Sequence, residues 1–309
     1  MNTVWRPVGP SGCARYCACE RAWRAERRET RWYRGRALFR PCCGERAFCI
    51  VGDMMSENND TSAFYDAVAD DYHLWYRDWE AELEREGLHL RRYFREHGVQ
   101  TVLDASCGPG TQSVALARLG FIVTAADPSA GLLARARQNA AEHGVDDRIT
   151  FVQSDFQNLL NHMSGPFDAV ITKGNAIPHL LRDEQIEETL LTFYELLRPG
   201  GLLLIGMHDF EPLLDDRPRL LPGQVHDGPD EQVITFDVWD WDDGPPVTVT
   251  YNRFIVRGEG TAYRVSKHPV KYRALTAEEV EVVLSELGFE RFSAQRDRWE
   301  VIMTAIKPE

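Results

Sequence analysis

Long apolar segments and cysteines are scarce in most of this 309-residue chain. No apolar run approaches the ~20 residues that a membrane-spanning helix needs, which excludes a protein that crosses the bilayer with helices. The first residues also lack the apolar stretch of a secretory signal, so we expect a cytoplasmic protein without a membrane partner. Cys107 is the only cysteine after residue 49, which excludes a disulfide scaffold for that part of the chain.

Positive charge is concentrated at the start of the chain and is outweighed elsewhere. The first 49 residues hold eleven arginines against four glutamates, a net +7, whereas the whole chain carries −13, so the remainder carries −20. An acidic body disfavours a nucleic-acid partner, because phosphate binding depends on lysine and arginine.

The same 49 residues contain the other six cysteines, Cys13, Cys17, Cys19, Cys42, Cys43 and Cys49. A basic, cysteine-rich segment can be a zinc-binding nucleic-acid module, but these spacings match no paired C-x2-C ribbon and no histidine lies among them, so we expect no metal site. The alternative is a disordered leader, or a coding start placed ahead of a natural beginning at Met54 or Met55. We interpret residues 1–55 as such a leader.

The most informative stretch is residues 101–112, where an apolar strand ends at Asp104 and a glycine-containing turn opens a helix. Gly108 and Gly110 remove side chains where a ligand would meet a Cβ atom, and the first turn of the helix presents unpaired N–H groups. The next strand ends at Asp127, close to the separation at which nucleotide-binding folds place a carboxylate on ribose hydroxyls. The pattern predicts a nucleotide-type cofactor at this turn.

Together these motifs resemble the class I S-adenosylmethionine-dependent methyltransferases, over roughly Ala63 to the C-terminus. A dinucleotide-binding dehydrogenase is the competing interpretation, but there the glycine turn usually follows the strand directly, whereas here Asp104 comes four residues before Gly108. The resemblance implies S-adenosylmethionine as the cofactor and a small-molecule substrate. It rests on Val102-Leu103-Asp104 through Gly110, Asp127, Ser154-Asp155-Phe156 and the run after Phe167-Asp168.

Predicted strands and helices alternate through the middle of the chain, which is typical of a parallel sheet wound by right-handed crossovers. With the resemblance, we predict an α/β fold with a doubly wound, mostly parallel, seven-stranded Rossmann-like sheet and an antiparallel β cap inserted after strand 5. Three β-rich stretches indicate the cap, at residues 232–239, 247–256 and 262–272. The predicted parts are an aromatic and helical arm at 60–98, the cofactor-binding core at 99–209, the substrate cap at 210–274, and a closing helix and strands at 275–309.

Ligands of open α/β sheets bind beyond the carboxyl ends of the strands, so the acids that end successive strands should converge. By resemblance, Asp127 accepts from the ribose hydroxyls, Leu132, Asp155 and Phe156 surround the adenine, and Asp104 lies near the methionine amino group. Capping of the next helix is the alternative role for Asp127. The predicted cofactor site comprises Tyr65, Tyr72, Asp104, Ser106, Gly108, Gly110, Thr111, Gln112, Asp127, Pro128, Leu132, Asp155, Phe156 and Lys173.

The segment after the fourth strand, residues 174–180, resembles the Asn-x-x-x-His-Leu segment of glycine/sarcosine N-methyltransferases. This implies Asn175, His179 and His208 as catalytic residues, with either histidine accepting a proton near neutral pH; a packed, structural histidine is the alternative for His179. In those enzymes an arginine for the substrate carboxylate stands where this chain has His208. The predicted substrate residues are Trp75, Asn175, His208, Arg253, Tyr272 and Arg273, with Lys271 a further candidate for a carboxylate.

The resulting hypothesis is methyl transfer from S-adenosylmethionine to a small molecule, at an amine nitrogen. Two alternatives stay open. One is transfer to oxygen or carbon of a natural product, and the other is a regulator that binds the cofactor without turnover. The oligomeric state also stays open, with a homo-oligomer among the options.

Overall fold

The computed structural model describes residues 61–229, 231–259, 262–297 and 299–309. The predicted leader, residues 1–55, lies outside these ranges. Within them, no helix combines the length and the apolar composition that crossing a membrane would require.

Helices and strands alternate from the first sheet strand to residue 208, as the sequence predicts. The helices are α1 Thr61–Val68, α2 Trp79–Arg95, α3 Thr111–Arg118, α4 Ala130–Glu142, α5 Leu159–His162, α6 Asp183–Leu196, α7 Phe210–Asp216 and α8 Ala277–Glu286. The strands are β1 Thr101–Asp104, β2 Ile122–Asp127, β3 Ile149–Gln153, β4 Phe167–Thr172, β5 Leu197–His208, β6 Leu220–Asp227, β7 Gln232–Asp242, β8 Thr248–Glu259, β9 Ala262–Arg273, β10 Glu290–Asp297 and β11 Glu300–Ile306. Short 3-10 helices lie at Ala69–Trp75, Asp146–Arg148, Phe156–Asn158 and Ile177–His179.

Seven strands form one sheet in the order β10-β11-β5-β4-β1-β2-β3. The pairs among β1 to β5 are parallel, whereas β11 runs antiparallel to β5 and so reverses the end of the sheet. The predicted α/β fold is thereby confirmed. The chain moves outward from β1 to β3 and then returns to β4 on the other side of β1, so the expected ligand crevice lies at the carboxyl ends of β1 and β4.

Both faces of the sheet are covered by helices, which is why β5 is a nearly continuous apolar run rather than an alternating one. Helices α2, α3 and α4 pack on one face and contribute Phe94, Val114 and Leu133 to its core. Helices α6 and α8 cover the other face, with Phe193 and Leu284 fully buried. This packing holds the carboxyl ends of the strands rigidly at one edge.

The cap is a four-stranded antiparallel sheet in the order β6-β7-β8-β9, one strand more than the sequence predicts. The missed strand is β6, whose Pro222 and Gly223 are typical of a turn. An edge strand tolerates proline because one side of its backbone needs no ladder partner. A bulge follows Pro222, and a Cβ on Gly223 would collide with Thr235 of the neighbouring strand. Both residues therefore suit an edge that local pattern alone does not reveal.

The arm is anchored to the core at the turn between β2 and α4. Asp66 on α1 accepts hydrogen bonds from the Ser129 hydroxyl at 2.5 Å and from the Gly131 N–H at 2.9 Å. Gly131 permits this approach, because a Cβ there would lie only 2.9 Å from the Cβ of Ala69. The aromatic residues of the arm are thus carried over the carboxyl edge of the sheet.

Candidate active site

A cavity of about 350 Å³ opens beside the glycine turn, beyond the carboxyl ends of the parallel strands; we call it the turn cavity. Its volume is ordinary for a small-molecule site. Residues from the arm and from four strand ends meet in its wall. The predicted cofactor residues that line it are Tyr65, Tyr72, Ser106, Gly108, Thr111, Gln112, Asp127, Pro128, Leu132, Asp155, Phe156 and Lys173.

Asp127 is an acid of the turn cavity with both carboxylate oxygens held in place. One oxygen accepts the N–H of Gly108 and the other the N–H of Ser129, each at 2.9 Å. Burial raises the pKa of Asp127 to about 6, against the opposing effect of these two N–H groups. The capping role falls to Ser129, whose hydroxyl accepts the N–H of Leu132. Asp127 therefore retains acceptor capacity for hydroxyl groups of a ligand.

The two glycines of the turn have different tasks. Gly108 has φ +53°, and a Cβ there would meet no atom of the described residues within 4 Å, so its absence leaves the wall open. Gly110 does not line the cavity; a Cβ there would lie 3.3 Å from the Cβ of Ala136, so this glycine allows α4 to approach.

Asp104 lies behind the wall of the turn cavity instead of in it. Its side chain is buried, and one of its oxygens accepts the Ser113 hydroxyl at 2.7 Å. Burial raises the pKa of Asp104 to about 7. Neither Gly110 nor Asp104 lines the turn cavity, and the second carboxylate oxygen of Asp104 has no hydrogen-bond partner among the described residues. Contact of these two residues with the cofactor stays a prediction.

Lys173 lines the turn cavity, but its charge is engaged inside the protein. Its ammonium lies 2.7 Å from a Glu86 carboxylate oxygen and 3.2 Å from one of Glu300. Although burial opposes it, these carboxylates raise the pKa of Lys173 above its usual value. Gly206 on β5 leaves space for the Glu300 carboxylate, since a Cβ there would collide with it. The cluster joins the arm, the core and the closing strand beneath the site.

A second cavity, of about 660 Å³, lies between the sheet edge and the cap; we call it the cap cavity. Four residues line both cavities, namely Tyr65, Tyr72, Tyr76 and Gly174, so the two adjoin there. Two small molecules, one in each cavity, would meet at this junction. The wall of the cap cavity is rich in aromatic rings: Phe64, Tyr65, Tyr72, Trp75, Tyr76, Trp239, Tyr251, Tyr272 and Trp299.

Asn175 and His208 both line the cap cavity and are tied together. The side-chain oxygen of Asn175 accepts the backbone N–H of His208 at 3.0 Å, and Asn175 holds a left-handed φ of +66°. Its amide nitrogen is buried and has no hydrogen-bond partner among the described residues. Burial lowers the pKa of His208 to about 4. The asparagine therefore keeps donor capacity at the cavity, beside a neutral imidazole.

His179 lines the turn cavity and is enclosed by two tyrosines. Its Nε2 lies 2.9 Å from the Tyr65 hydroxyl, and its ring stacks on that of Tyr272 at 4.2 Å between centroids. Burial lowers the pKa of His179 to about 3. His179 and His208 are accordingly neutral and weakly basic near pH 7, and a role for either as a proton acceptor stays a prediction.

The arginines predicted for substrate binding lie in different places. Arg253 lines the cap cavity and is paired with Asp237. Arg273 lines neither cavity, because it forms ion pairs with Asp183 and with Glu279 at the base of the cap. Lys271 is also absent from both walls, and its carbonyl oxygen lies 3.4 Å from Nδ1 of His179.

Several cap residues of the wall were not predicted from the sequence, among them Asp237, Trp239 and Tyr251. They lie on one face of adjacent strands, since Trp239 is paired with Tyr251 and Asp237 with Arg253 in the register of β7 and β8. The alternation of Asp237 and Trp239 two residues apart is the signal that could have found them.

Comparison with known proteins agrees with this geometry. A model of a methyltransferase domain matches residues 102–201. Glycine/sarcosine N-methyltransferase from Parasynechococcus marenigrum (strain WH8102) is 32% identical over 224 residues, covering 71% of this chain and 73% of that protein. The CcbJ methyltransferase from Streptomyces caelestis superposes with a TM-score of 0.67 at 18% identity, over 81% of this chain and 100% of that one.

A third similar protein is the aminopentose methyltransferase CalS10 from Micromonospora echinaspora, solved with S-adenosylmethionine bound. Its TM-score is 0.64 at 16% identity, over 78% of this chain and 96% of that one. The lining of the turn cavity fits this cofactor: Asp127 would offer a carboxylate to ribose hydroxyls, and Leu132 and Phe156 would offer apolar surface to the base. S-Adenosylmethionine is the cofactor. The chain is an enzyme and belongs to the class I S-adenosylmethionine-dependent methyltransferases.

Proposed function

We propose that the chain transfers a methyl group to the nitrogen of a small-molecule amine. The cofactor supplies a methyl carbon on a sulfonium, and the amine nitrogen forms the new bond with its lone pair while the electrons of the broken C–S bond remain on sulfur. The relative from Parasynechococcus is named for N-methylation, which supports an amine acceptor here.

The observation that carries this proposal is the weak basicity of the two histidines of the site, His179 in the wall of the turn cavity and His208 in the wall of the cap cavity. Burial lowers the pKa of His179 to about 3 and that of His208 to about 4, and raises that of the neighbouring Tyr65 well above 10. A hydroxyl or carbon acceptor needs a base that removes its proton. A neutral amine already presents a lone pair, so positioning and exclusion of water suffice.

The walls of the cap cavity also suit an amine. Aromatic faces attract cationic groups, and Tyr72 and Tyr251 are among the rings of this wall. The positive charge that nitrogen gains with the methyl group would be stabilised by the same faces. Asn175 holds a buried amide nitrogen without a partner among the described residues, which supports a role in orienting a polar acceptor.

The test is methyl transfer from labelled S-adenosylmethionine to a panel of acceptors. We expect transfer to amines such as 2-phenylethylamine or benzylamine, and none to phenol or catechol. Transfer to the phenols alone would favour the O-methyltransferase alternative. Silence across the panel, with the cofactor bound, would favour a regulator without turnover.

A further inference from the structure

The arginines of the cap cavity are paired with carboxylates. Among the described residues, Arg85 and Arg253 supply the only arginine or lysine side chains of its wall. Arg85 lies within 2.5 Å of Glu82 and 2.8 Å of Glu86. Arg253 makes two parallel hydrogen bonds to Asp237, at 2.5 and 2.8 Å. An incoming carboxylate would therefore find both guanidinium groups already paired.

The pair of Arg253 with Asp237 is held firmly on the cap. The two residues lie opposite each other on β7 and β8, and the side chain of each is only 14% exposed. The guanidinium of Arg253 also lies over the ring of Trp75, 4.1 Å from its centroid. Trp75 in turn stacks on Tyr72, with ring centroids 5.0 Å apart. Arg253 is thus oriented by the arm and by the neighbouring strand at once.

A carboxylate on the substrate would be penalised in this arrangement. It would compete with Asp237 for one guanidinium and bring a second negative charge beside it, away from water. Burial raises the pKa of Asp237 despite the opposing charge of Arg253, which shows that the surroundings already disfavour a negative group. His208 offers no compensating charge, because it is neutral.

We propose that Asp237 sets the substrate class of this enzyme: by engaging Arg253 it excludes amines that carry a carboxylate and leaves the cap cavity to amines with an uncharged, aromatic or apolar body. This rests on the proposed amine N-methylation. The cavity volume of about 660 Å³ and its aromatic wall are consistent with such a body.

The experiment uses two acceptors that differ only by a carboxylate, 2-phenylethylamine and phenylalanine. In the wild-type enzyme we expect kcat/KM for 2-phenylethylamine to exceed that for phenylalanine at least tenfold. Asp237→Asn keeps the side-chain size but frees Arg253, and should narrow this ratio at least tenfold, chiefly through a lower KM for phenylalanine. The double variant Asp237→Asn with Arg253→Met should restore the wild-type preference. Asp240→Asn is the matched control on the same strand; Asp240 pairs with Arg219 outside the cavity, so the ratio should stay unchanged.

A binding measurement makes the inference independent of turnover. Calorimetry with phenylacetate, a carboxylate without an amine, should show binding to Asp237→Asn at least tenfold tighter than to the wild type or the double variant. Thermal melting checks that each variant is folded. Equal use of both acceptors by the wild type, or unchanged phenylacetate affinity in folded Asp237→Asn, overturns the inference. Failure of every amine as an acceptor would instead refute the proposed function, while the phenylacetate result would still decide the role of Asp237.

Discussion

Cofactor binding should weaken as pH falls through the pKa of Asp127. The carboxylate of Asp127 lies in the wall of the turn cavity, and burial raises its pKa to about 6 in the free protein. Only the ionised form accepts hydrogen bonds through both oxygens beyond those from Gly108 and Ser129. Lowering the pH below about 6 therefore removes an acceptor that ribose hydroxyls would use.

The magnitude follows from the fraction of Asp127 that is ionised. With a pKa of about 6, the carboxylate is almost fully ionised at pH 7.5 and only about one-tenth ionised at pH 5. The dissociation constant of S-adenosylmethionine should rise roughly tenfold over this interval. Asp127→Asn should bind about ten- to a hundredfold more weakly at pH 7.5, for a loss of roughly 1.5–3 kcal/mol, and should lack the slope between pH 5 and 7.5.

Calorimetry from pH 5 to 7.5 measures both effects, with adenosine as a second ligand that keeps the ribose but not the methionine amino group. Asp104→Asn is the control, because burial also raises the pKa of Asp104, to about 7, yet this carboxyl does not line the cavity. Protonation of Asp127 does not unfold the protein, so the expected loss of cofactor affinity at low pH is not a loss of folded protein caused by this residue. Its pKa in the folded protein lies above the usual 3.8, so this group stabilises the fold as pH falls from about 6 to 4. A wild-type affinity that is equal at both ends of the range, or a slope that persists in Asp127→Asn, would refute the reasoning.

Three further predictions concern the neighbouring residues. Asn175→Gly and Asn175→Ala should each lower kcat/KM by roughly tenfold or more with unchanged cofactor affinity. Both variants lose the acceptor for the His208 N–H, but the alanine variant should lose more thermal stability, because φ is +66° there; full activity of the glycine variant would contradict this. Lys173→Met leaves the carboxylates of Glu86 and Glu300 without their buried partner, so urea denaturation should show that the free energy of unfolding falls by about 3–5 kcal/mol. Lys173→Arg keeps the positive charge and should be less destabilised; equal stability of the two variants would count against this prediction. Since His179 and His208 have pKa values of about 3 and 4, kcat/KM measured from pH 5 to 9 should follow the ionisation of the acceptor amine, and an inflection near pH 6.5 that His208→Gln removes would contradict this.

Local sequence patterns were sufficient to predict the architecture and most of the lining of the turn cavity. Alternating apolar strands and helices require a parallel sheet, and the carboxyl ends of its strands meet at one edge. For this reason Gly108, Asp127 and Asp155 could be brought together from short motifs. These sequence signals are local, because a few neighbouring residues determine a glycine turn with positive φ or the end of a strand.

Local pattern could not decide which side chains near the site remain available to a ligand. Gly110 and Asp104 belong to the same motif as Gly108. Gly110 nevertheless packs against α4, and Asp104 lies behind the wall of the turn cavity, because the packing of distant segments determines which residues of the motif line the cavity. The edge strand β6 was missed for a related reason. Its Pro222 is acceptable because β6 is the edge strand of the cap sheet among the described residues.

The partners of the charged residues and their exposure to water depend on the tertiary structure alone. Lys173 is engaged by Glu86 and Glu300, and Arg273 is turned toward Asp183, although each pair is far apart in sequence. Arg253 meets Asp237 only through the register of two cap strands. Burial, a property of the whole fold, determines that the histidines are neutral. The presence of a charged residue is written in the sequence, but its partner and its exposure to water depend on long-range packing, and these two decide what the residue can do.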